Sequence, residues 1–224
     1  MVTMKELDVP KSGTRGTTVS YRTRYGQISR QLVVPHDPRT PVQVSRRAGF
    51  GRARFLWGKL TDAQRAAWNR TAGGKSTRRR LNQSGPLSGY LLFVKINCNL
   101  AAVGLEMVLD PPEVPDFEPS PVGALAITNP NGVTALKLSL SARPSGHIVV
   151  SGSKPRSPGR TSEDHFAILG LLDDPVRGMN DFTALYVAKY GVPPAGSRVF
   201  IQTTQQIDGW QDLPKVTSAV VPVA

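Results

Sequence analysis

The spacing of hydrophobic residues changes along the chain. Between residues 42 and 103 apolar side chains recur at intervals of three or four, and between 124 and 222 they form short runs separated by turn residues. The first spacing is typical of helices that bury one face, and the second is typical of strands. The sequence therefore predicts an α+β protein with its helices ahead of an all-β part.

A β-hairpin is predicted ahead of the helices. Residues 13–35 are rich in Thr, Val, Tyr and Ile, and Tyr25-Gly26 separates two alternating runs. Such alternation around a glycine-containing break is typical of a hairpin. The alternation places Arg22, Arg24 and Arg30 on one face, which fits a ribbon against an acidic surface and, equally well, a solvated face.

The first of three predicted helices covers residues 42–58, which have helical spacing despite Gly49 and Gly51. The residues expected on its buried side are Val44, Ala48, Phe55 and Trp57. The residues expected on its outer side, toward solvent or a partner, are Arg46, Arg47, Arg52 and Arg54.

The second and third helices have clearer signals. Thr61 and Gln64 match a capping box, and Gly73-Gly74 stops the helix that follows. We expect the tertiary contact of Trp68 to supply most of this helix's stability. The third helix covers residues 88–103, and its buried centre is predicted to contain Leu92, Phe93, Ile96 and Leu100.

A proline-rich segment is the predicted domain boundary. Residues 108–123 contain five prolines and four acidic residues, a composition that suits neither a helix nor a central strand. We expect a hairpin-plus-helices assembly domain at 1–107, a semi-rigid linker at 108–123 and a second domain at 124–224.

Short β segments at near-regular spacing fill the second domain. This pattern predicts a β-sandwich of immunoglobulin or fibronectin type, while residues 180–191 fit a strand or a helix. The predicted strands are 124–128, 133–141, 147–152, 165–171, 197–204 and 215–222.

Net positive charge is confined to the first part of the chain. Residues 1–100 contain 19 Lys or Arg and 4 Asp or Glu, whereas residues 101–224 contain 9 and 12. Fourteen of the 19 cations are Arg, whose planar fork suits bidentate contacts to carboxylate or phosphate. An acidic protein surface or nucleic acid is therefore the expected partner of this half.

The residues that usually carry chemistry do not form a recognisable site. The sequence AGGKST at 72–77 ends like a phosphate-binding loop, but Asn69 stands where its first glycine is needed. The histidines, His36, His147 and His165, are far apart, and Cys98 is the only cysteine. We expect no cofactor, no metal, no small-molecule substrate and no enzymatic activity.

A membrane location is not expected. No stretch approaches the ~20 apolar residues that cross a bilayer, and the first residues have no apolar run like that of a signal peptide. Synthesis in a cytoplasm is the corresponding expectation.

Two sequence patterns are distinctive, LTDAQRAAWN from Leu60 and LSGYLLFVKINCNLAAVG from Leu87. Together with SGTRGTTVSYRTRYGQISRQLVVPHDPRTPVQ from Ser12, they resemble a loosely defined group of uncharacterised proteins encoded by phages and prophages. The resemblance covers about two-fifths of the chain. It implies a virion or tail component that acts through protein contacts, has no catalytic residues and precedes a fibronectin-like β segment.

The main hypothesis is a virion structural protein, made in the host cytoplasm, that assembles in many copies with itself and with other particle proteins. The first alternative is a nucleic-acid-binding protein without base specificity, and the second is an unrecognised enzyme. The residues predicted to bind a partner or nucleic acid are Arg22, Arg24, Arg30, Arg46, Arg47, Arg52, Arg54, Arg78, Arg79 and Arg80.

Overall fold

The computed structural model describes residues 3–6, 11–23, 26–34, 36–76, 85–129 and 133–223, with residues 3–6 described by their backbone alone. Contacts between Cα atoms group the chain into two compact units, Met1–Pro41 and Val42–Ala224. The fold is mixed α+β, as predicted.

The first unit is a four-stranded antiparallel sheet in the order β1-β4-β3-β2. The predicted hairpin is confirmed as β3 and β4, in which Thr18 lies opposite Gln31 and Thr23 opposite Gly26. The strands β1 and β2 are too short for alternation to predict them. The four strands are β1 Thr3–Glu6, β2 Gly13–Arg15, β3 Thr18–Thr23 and β4 Gly26–Gln31.

Three helices open the second unit, close to their predicted bounds. They are α1 Pro41–Lys59, α2 Asp62–Ala72 and α3 Gly89–Ala102. The predicted capping box of α2 is confirmed, because the Gln64 amide donates to Thr61 Oγ1 at 3.2 Å and the Thr61 amide donates to Gln64 Oε1 at 3.0 Å. These two bonds satisfy backbone donors that the first turn of a helix leaves without partners.

Aromatic packing holds the three helices together. The ring centroids of Trp57 and Trp68 lie 5.4 and 5.1 Å from that of Phe93. Trp68 is fully buried, and its Nε1 donates to the Leu109 carbonyl at 2.7 Å. All four residues predicted for the centre of α3 are buried, which confirms that helix as the core of this part.

Two antiparallel sheets make up most of the rest of the second unit. All six predicted strands are confirmed, and the sheet orders are β5-β6-β9 and β11-β10-β7-β8, with β12 also paired to β10. The strands are β5 Val122–Thr128, β6 Ala135–Leu140, β7 His147–Gly152, β8 Ala167–Leu171, β9 Gly178–Asp181, β10 Arg198–Ile207, β11 Trp210–Gln211 and β12 Lys215–Val220.

Both sheets contribute to one hydrophobic core. Alternate residues of β6, Leu136, Leu138 and Leu140, are buried in it, and Ile148 and Ile201 enter it from the other sheet. This period of two is the one that a strand with one buried face requires.

The prediction that the C-terminal part is all-β is wrong at one place. Residues Thr183–Tyr190 form a helix, α4, directly after β9. Phe182, Tyr186 and Tyr190 recur every four residues, so a helix carries all three toward the core. The hydroxyl groups of Tyr186 and Tyr190 donate to the Ser153 and Gly152 carbonyls, both at 2.9 Å.

The turn between β10 and β11 joins the helices to the sheets. Asp208 and Gly209 both have positive φ, 47° and 83°, as in the tight hairpin turns that favour Asp-Gly. A Cβ atom on Gly209 would lie 2.7 Å from Ile96 Cγ2 and 2.8 Å from the Ile96 carbonyl oxygen. The turn therefore lies directly on α3, and Trp210 packs into the helical core beside it.

The segment predicted as a linker, 108–123, has no helix or strand before β5, and it contacts both parts of the second unit. Asn97 Nδ2 donates to the Val108 carbonyl at 3.1 Å, and the Val108 amide donates to Asn97 Oδ1 at 2.8 Å. Farther along, Gln205 Nε2 donates to the Glu118 carbonyl at 3.1 Å. Hydrogen bonds thus join the predicted linker to the helices on one side and to the sheets on the other.

A buried carboxylate organises the loop between β7 and β8. The side chain of Glu163 is fully covered, accepts hydrogen bonds from Arg156 Nε and from the amides of Asp164 and His165, and lies 3.5 Å from Arg160 Nη2. The hydrogen bond from Arg156 and the amides lower the pKa of Glu163 from 4.5 to about 2.

We expect Gly209→Ala to destabilise the second unit, because the added methyl group meets Ile96 and the residue must keep a positive φ. The expected loss is about 2–4 kcal/mol, from the strained backbone and the overpacking together. The matched control is Gly104→Ala, which has φ 78° but no atom within 4 Å of its Cβ position and should lose only about 1 kcal/mol. Urea unfolding measures both, and equal losses would contradict the close contact.

We expect Glu163→Gln to lower the melting temperature at pH 7. A carboxylate with a lowered pKa stabilises the folded state above its ordinary pKa, and this contribution disappears as pH falls from about 4.5 to about 2. The difference from the parent should therefore shrink over that interval in a melting series. The exposed Glu106→Gln is the control and should melt like the parent throughout, and a pH-independent difference for Glu163→Gln would count against the role of the charge.

Candidate partner-binding face

The predicted partner-binding arginines fall into three groups. Arg22 and Arg30 lie in the first sheet, and the arginines of residues 42–58 lie on α1. Four of the ten lie outside the described residues: Arg24, Arg78, Arg79 and Arg80.

The prediction that Arg22 and Arg30 share one face of the hairpin is wrong. Arg30 pairs with Val19, and Arg22 is three residues from Val19 on the same strand, so the two arginines point to opposite faces. Arg30 lies on the face of Tyr21, with its guanidinium carbon 5.6 Å from the ring centroid. The prediction failed because the connection between two strands sets their register, and alternation along each strand leaves that register open.

Helix α1 packs on α3 through small residues. The Cβ position of Gly49 lies 3.4 Å from Ala101 Cβ, and Ala53 is completely buried. Leu56 and Leu60 continue this row toward the end of the helix. The spacing of 49, 53, 56 and 60 is that of one helix face, and this face packs against the helical core.

This packing corrects the predicted buried side of α1. Val44 and Phe55 are 51% and 64% exposed, and Ala48 is exposed as well. Of the four residues predicted for that side, Trp57 alone packs against the core. The buried face is marked by the row Gly49, Ala53 and Leu56. A search for the most hydrophobic residues misses it, because Gly and Ala are less hydrophobic than Val and Phe.

The outward side of α1 carries a second apolar row, which we call the outer stripe. Its spacing alternates between four and three residues, as in the contact positions of a helix that packs against a partner. Large side chains stand at Val44 and Phe55, with small residues between and after them. The outer stripe consists of Val44, Ala48, Gly51, Phe55 and Gly58, all of them exposed.

Cations flank the outer stripe on both sides. Arg47 and Arg54, seven residues apart, follow one edge, and Arg52 and Lys59, also seven apart, follow the other. Lys59 Nζ lies 5.5 Å from the centroid of the Phe55 ring. Arg46 is exposed on the opposite side of the helix. Three of the four arginines predicted for α1 therefore border the stripe. Lys59 borders it as well, although it was not among the predicted residues.

An open cavity of about 300 Å³ lies beside this face. Ser45, Ala48 and Arg52 line it from α1, and Leu105 and Met107 line it from the chain that follows α3. The cavity offers space next to the outer stripe for an apolar side chain of a partner.

Carboxylates are concentrated in a different segment of the chain. Asp110, Glu113 and Asp116 recur every third residue in the proline-rich segment, and all three are exposed. Leu109 and Val114 of the same segment are 44% and 55% exposed. We call Leu109–Asp116 the acidic segment.

Comparisons with known proteins add no relative. No protein-family model, curated protein or solved structure matches the chain. Within the described ranges, no helix has the length and apolar character needed to cross a membrane. In the same part of the chain, no three His, Cys, Asp or Glu residues are grouped so that they could hold a metal ion.

The orientation of α1 can be tested with one substitution on each side. Ala53→Leu should destabilise the protein by about 1–3 kcal/mol, because the larger side chain is forced between α1 and α3. Ala48→Leu makes the same change on the exposed side and should cost less than about 0.5 kcal/mol. Thermal or urea unfolding measures the difference, and a larger loss for Ala48→Leu would reverse the assignment of the two faces.

Proposed function

We propose that this protein is a virion structural protein, a component of a phage-like particle. It assembles in many copies through protein contacts made by its basic N-terminal half and has no catalytic role. The observation that carries the proposal is the outer stripe of α1, an exposed apolar row with cations on both edges. The sequence resemblance to phage and prophage proteins supports the particle as its location.

The apolar component of this face favours a protein partner. Val44 and Phe55 are 51% and 64% exposed, so burying their remaining exposed area would contribute about 1–2 kcal/mol each. Contacts to a phosphate backbone come mainly from cations and backbone amides and need no such row. Apolar side chains at helical intervals with charged flanks are a common mode of recognition between proteins.

The two sheets of residues 122–220, which we call the two-sheet part, contribute a second proposed element. We assign it to an immunoglobulin- or fibronectin-like sandwich that carries α4 as an addition. Antiparallel pairing and the core shared by both sheets support this assignment. In the particle this part would contact other virion proteins.

Binding of nucleic acid without base specificity is the second candidate function. It is favoured by the exposed cations Arg52, Arg54 and Lys59, which follow one helix and could neutralise successive phosphates. Such binding weakens steeply with added salt because counterions are released from the nucleic acid. Association through the apolar stripe would persist in salt, which strengthens apolar contacts or leaves them unchanged.

We expect Phe55→Ser to weaken self-association by about tenfold or more in concentration, because it removes the largest apolar side chain of the outer stripe. Light scattering over a concentration series, at low and moderate salt, measures the effect. The fold should be unaffected, since Phe55 is 64% exposed. The matched control is Leu213→Ser, at a side chain 86% exposed on the two-sheet part, and it should associate like the parent.

The same samples separate the two candidate functions. Undiminished assembly of Phe55→Ser, or a parent chain that stays monomeric at every concentration, would contradict assembly through this face. If the protein binds nucleic acid, that binding should depend on the cations of α1 and not on Phe55. Binding to a DNA duplex would then survive Phe55→Ser and fall in the double variant Arg52→Gln, Arg54→Gln, with a smaller dependence on salt.

A further inference from the structure

We propose that the outer stripe of α1 docks on the acidic segment of a second copy of this chain, so that copies join head to tail. This inference rests on the proposed assembly function and identifies the partner of its binding face. Three observations support it: the charge of the stripe, the charge of the segment and the apolar groups on both.

The outer stripe is unsuited to pairing with itself. Two copies of α1 packed stripe to stripe would bring Arg52, Arg54 and Lys59 of one copy against the same cations of the other. Like charges along both edges of a helix pair oppose such pairing. The face therefore requires a partner with carboxylates at its edges.

The acidic segment has the complementary charge. Between residues 106 and 118 there are five Asp or Glu residues and no Lys or Arg. Within the described part of the chain, no cation forms an ion pair with Asp110, Glu113 or Asp116. These exposed carboxylates are therefore available to cations of another molecule.

Apolar side chains accompany the charges on both surfaces. Leu109 and Val114 are 44% and 55% exposed on the acidic segment, and Val44 and Phe55 stand on the outer stripe. Ala48, Gly51 and Gly58 leave space along the stripe in which a partner's backbone can approach the helix. The cavity beside Ala48 and Arg52 offers a site for one of the two apolar side chains of the segment.

The acidic segment also has a repeat that suits the edge of a helix. Leu109 and Asp110 are bends, and residues 111–116 have no helix, strand or turn. Proline fixes φ at three positions of this stretch, which favours the polyproline conformation. That conformation repeats every three residues and spans about 16 Å from Pro111 to Asp116, so it places Glu113 and Asp116 on one side.

The acidic segment is held in place before any partner binds. Trp68 Nε1 donates to the Leu109 carbonyl at 2.7 Å, and Trp210 Nε1 donates to the Pro112 carbonyl at 3.4 Å. A segment that is already ordered loses little conformational entropy on docking. Because the stripe and the segment are different surfaces of one chain, repeated docking gives a closed ring or an open filament.

Complementary charge reversal tests this contact. The first variant reverses the stripe with Arg52→Glu, Arg54→Glu and Lys59→Glu, and the second reverses the segment with Asp110→Lys, Glu113→Lys and Asp116→Lys. Each variant alone should associate about tenfold or more weakly than the parent, because like charges then face each other at every contact. An equimolar mixture of the two should recover association, because each contact again joins opposite charges.

A third variant controls for net charge. Lys154→Glu, Arg177→Glu and Lys189→Glu change three exposed cations of the two-sheet part by the same amount as the first variant. This control should associate like the parent. Sedimentation of each sample and of the mixture, with circular dichroism to confirm folding, gives the comparison.

The outcomes separate this contact from the proposed function. Recovery of association in the equimolar mixture is the outcome that supports the head-to-tail contact. If the parent associates but the mixture does not recover, or if the reversed segment variant associates like the parent, the acidic segment is not the partner, while assembly through α1 is still tested by Phe55→Ser. A reversed stripe variant that associates like the parent would contradict both this contact and the α1 interface. A parent that is monomeric throughout overturns both the contact and the assembly function.

Discussion

The close contact between Gly209 and α3 is the constraint on which the second unit depends. A turn with positive φ at Asp208 and Gly209 brings the backbone of β10 and β11 within van der Waals distance of Ile96, where no side chain would fit. Trp210 then enters the helical core beside Trp68 and Phe93. Through this turn the two-sheet part completes the helical core, so the helices and sheets of residues 42–224 stabilise each other.

The packing of one face of α1 determines which side of the helix faces solvent. Gly49 contacts Ala101 of α3 and Ala53 is completely buried, so the larger side chains of Val44 and Phe55 are left on the outer face. Exposing large apolar groups costs solubility unless another molecule covers them. The same small residues that bury one face thus create the apolar face that we propose for assembly.

Charge separation along the sequence places the two charges on different elements. Cations border the outer stripe of α1, while carboxylates line the proline-rich segment that crosses from the helices to the sheets. A chain with both surfaces can associate with copies of itself without being symmetric, because each copy offers one surface of each kind. Electrostatic complementarity of this kind selects the partner and its orientation, and burial of apolar groups supplies affinity.

Local sequence determined the three N-terminal helices and the longer strands, but not the short elements β1, β2, β9, β11 and α4, and little of the tertiary arrangement. The capping box of Thr61 and Gln64, the helical period of α3 and six strand runs are local signals, and each predicted its element correctly. The strand register that separates Arg22 from Arg30, the buried face of α1 and the docking of Gly209 depend on neighbours distant in sequence. Hydrophobicity ranks Phe55 above Gly49 and Ala53, but only the tertiary structure shows that Gly49 contacts Ala101 and that Ala53 is fully buried, because burial depends on which distant elements pack against the helix.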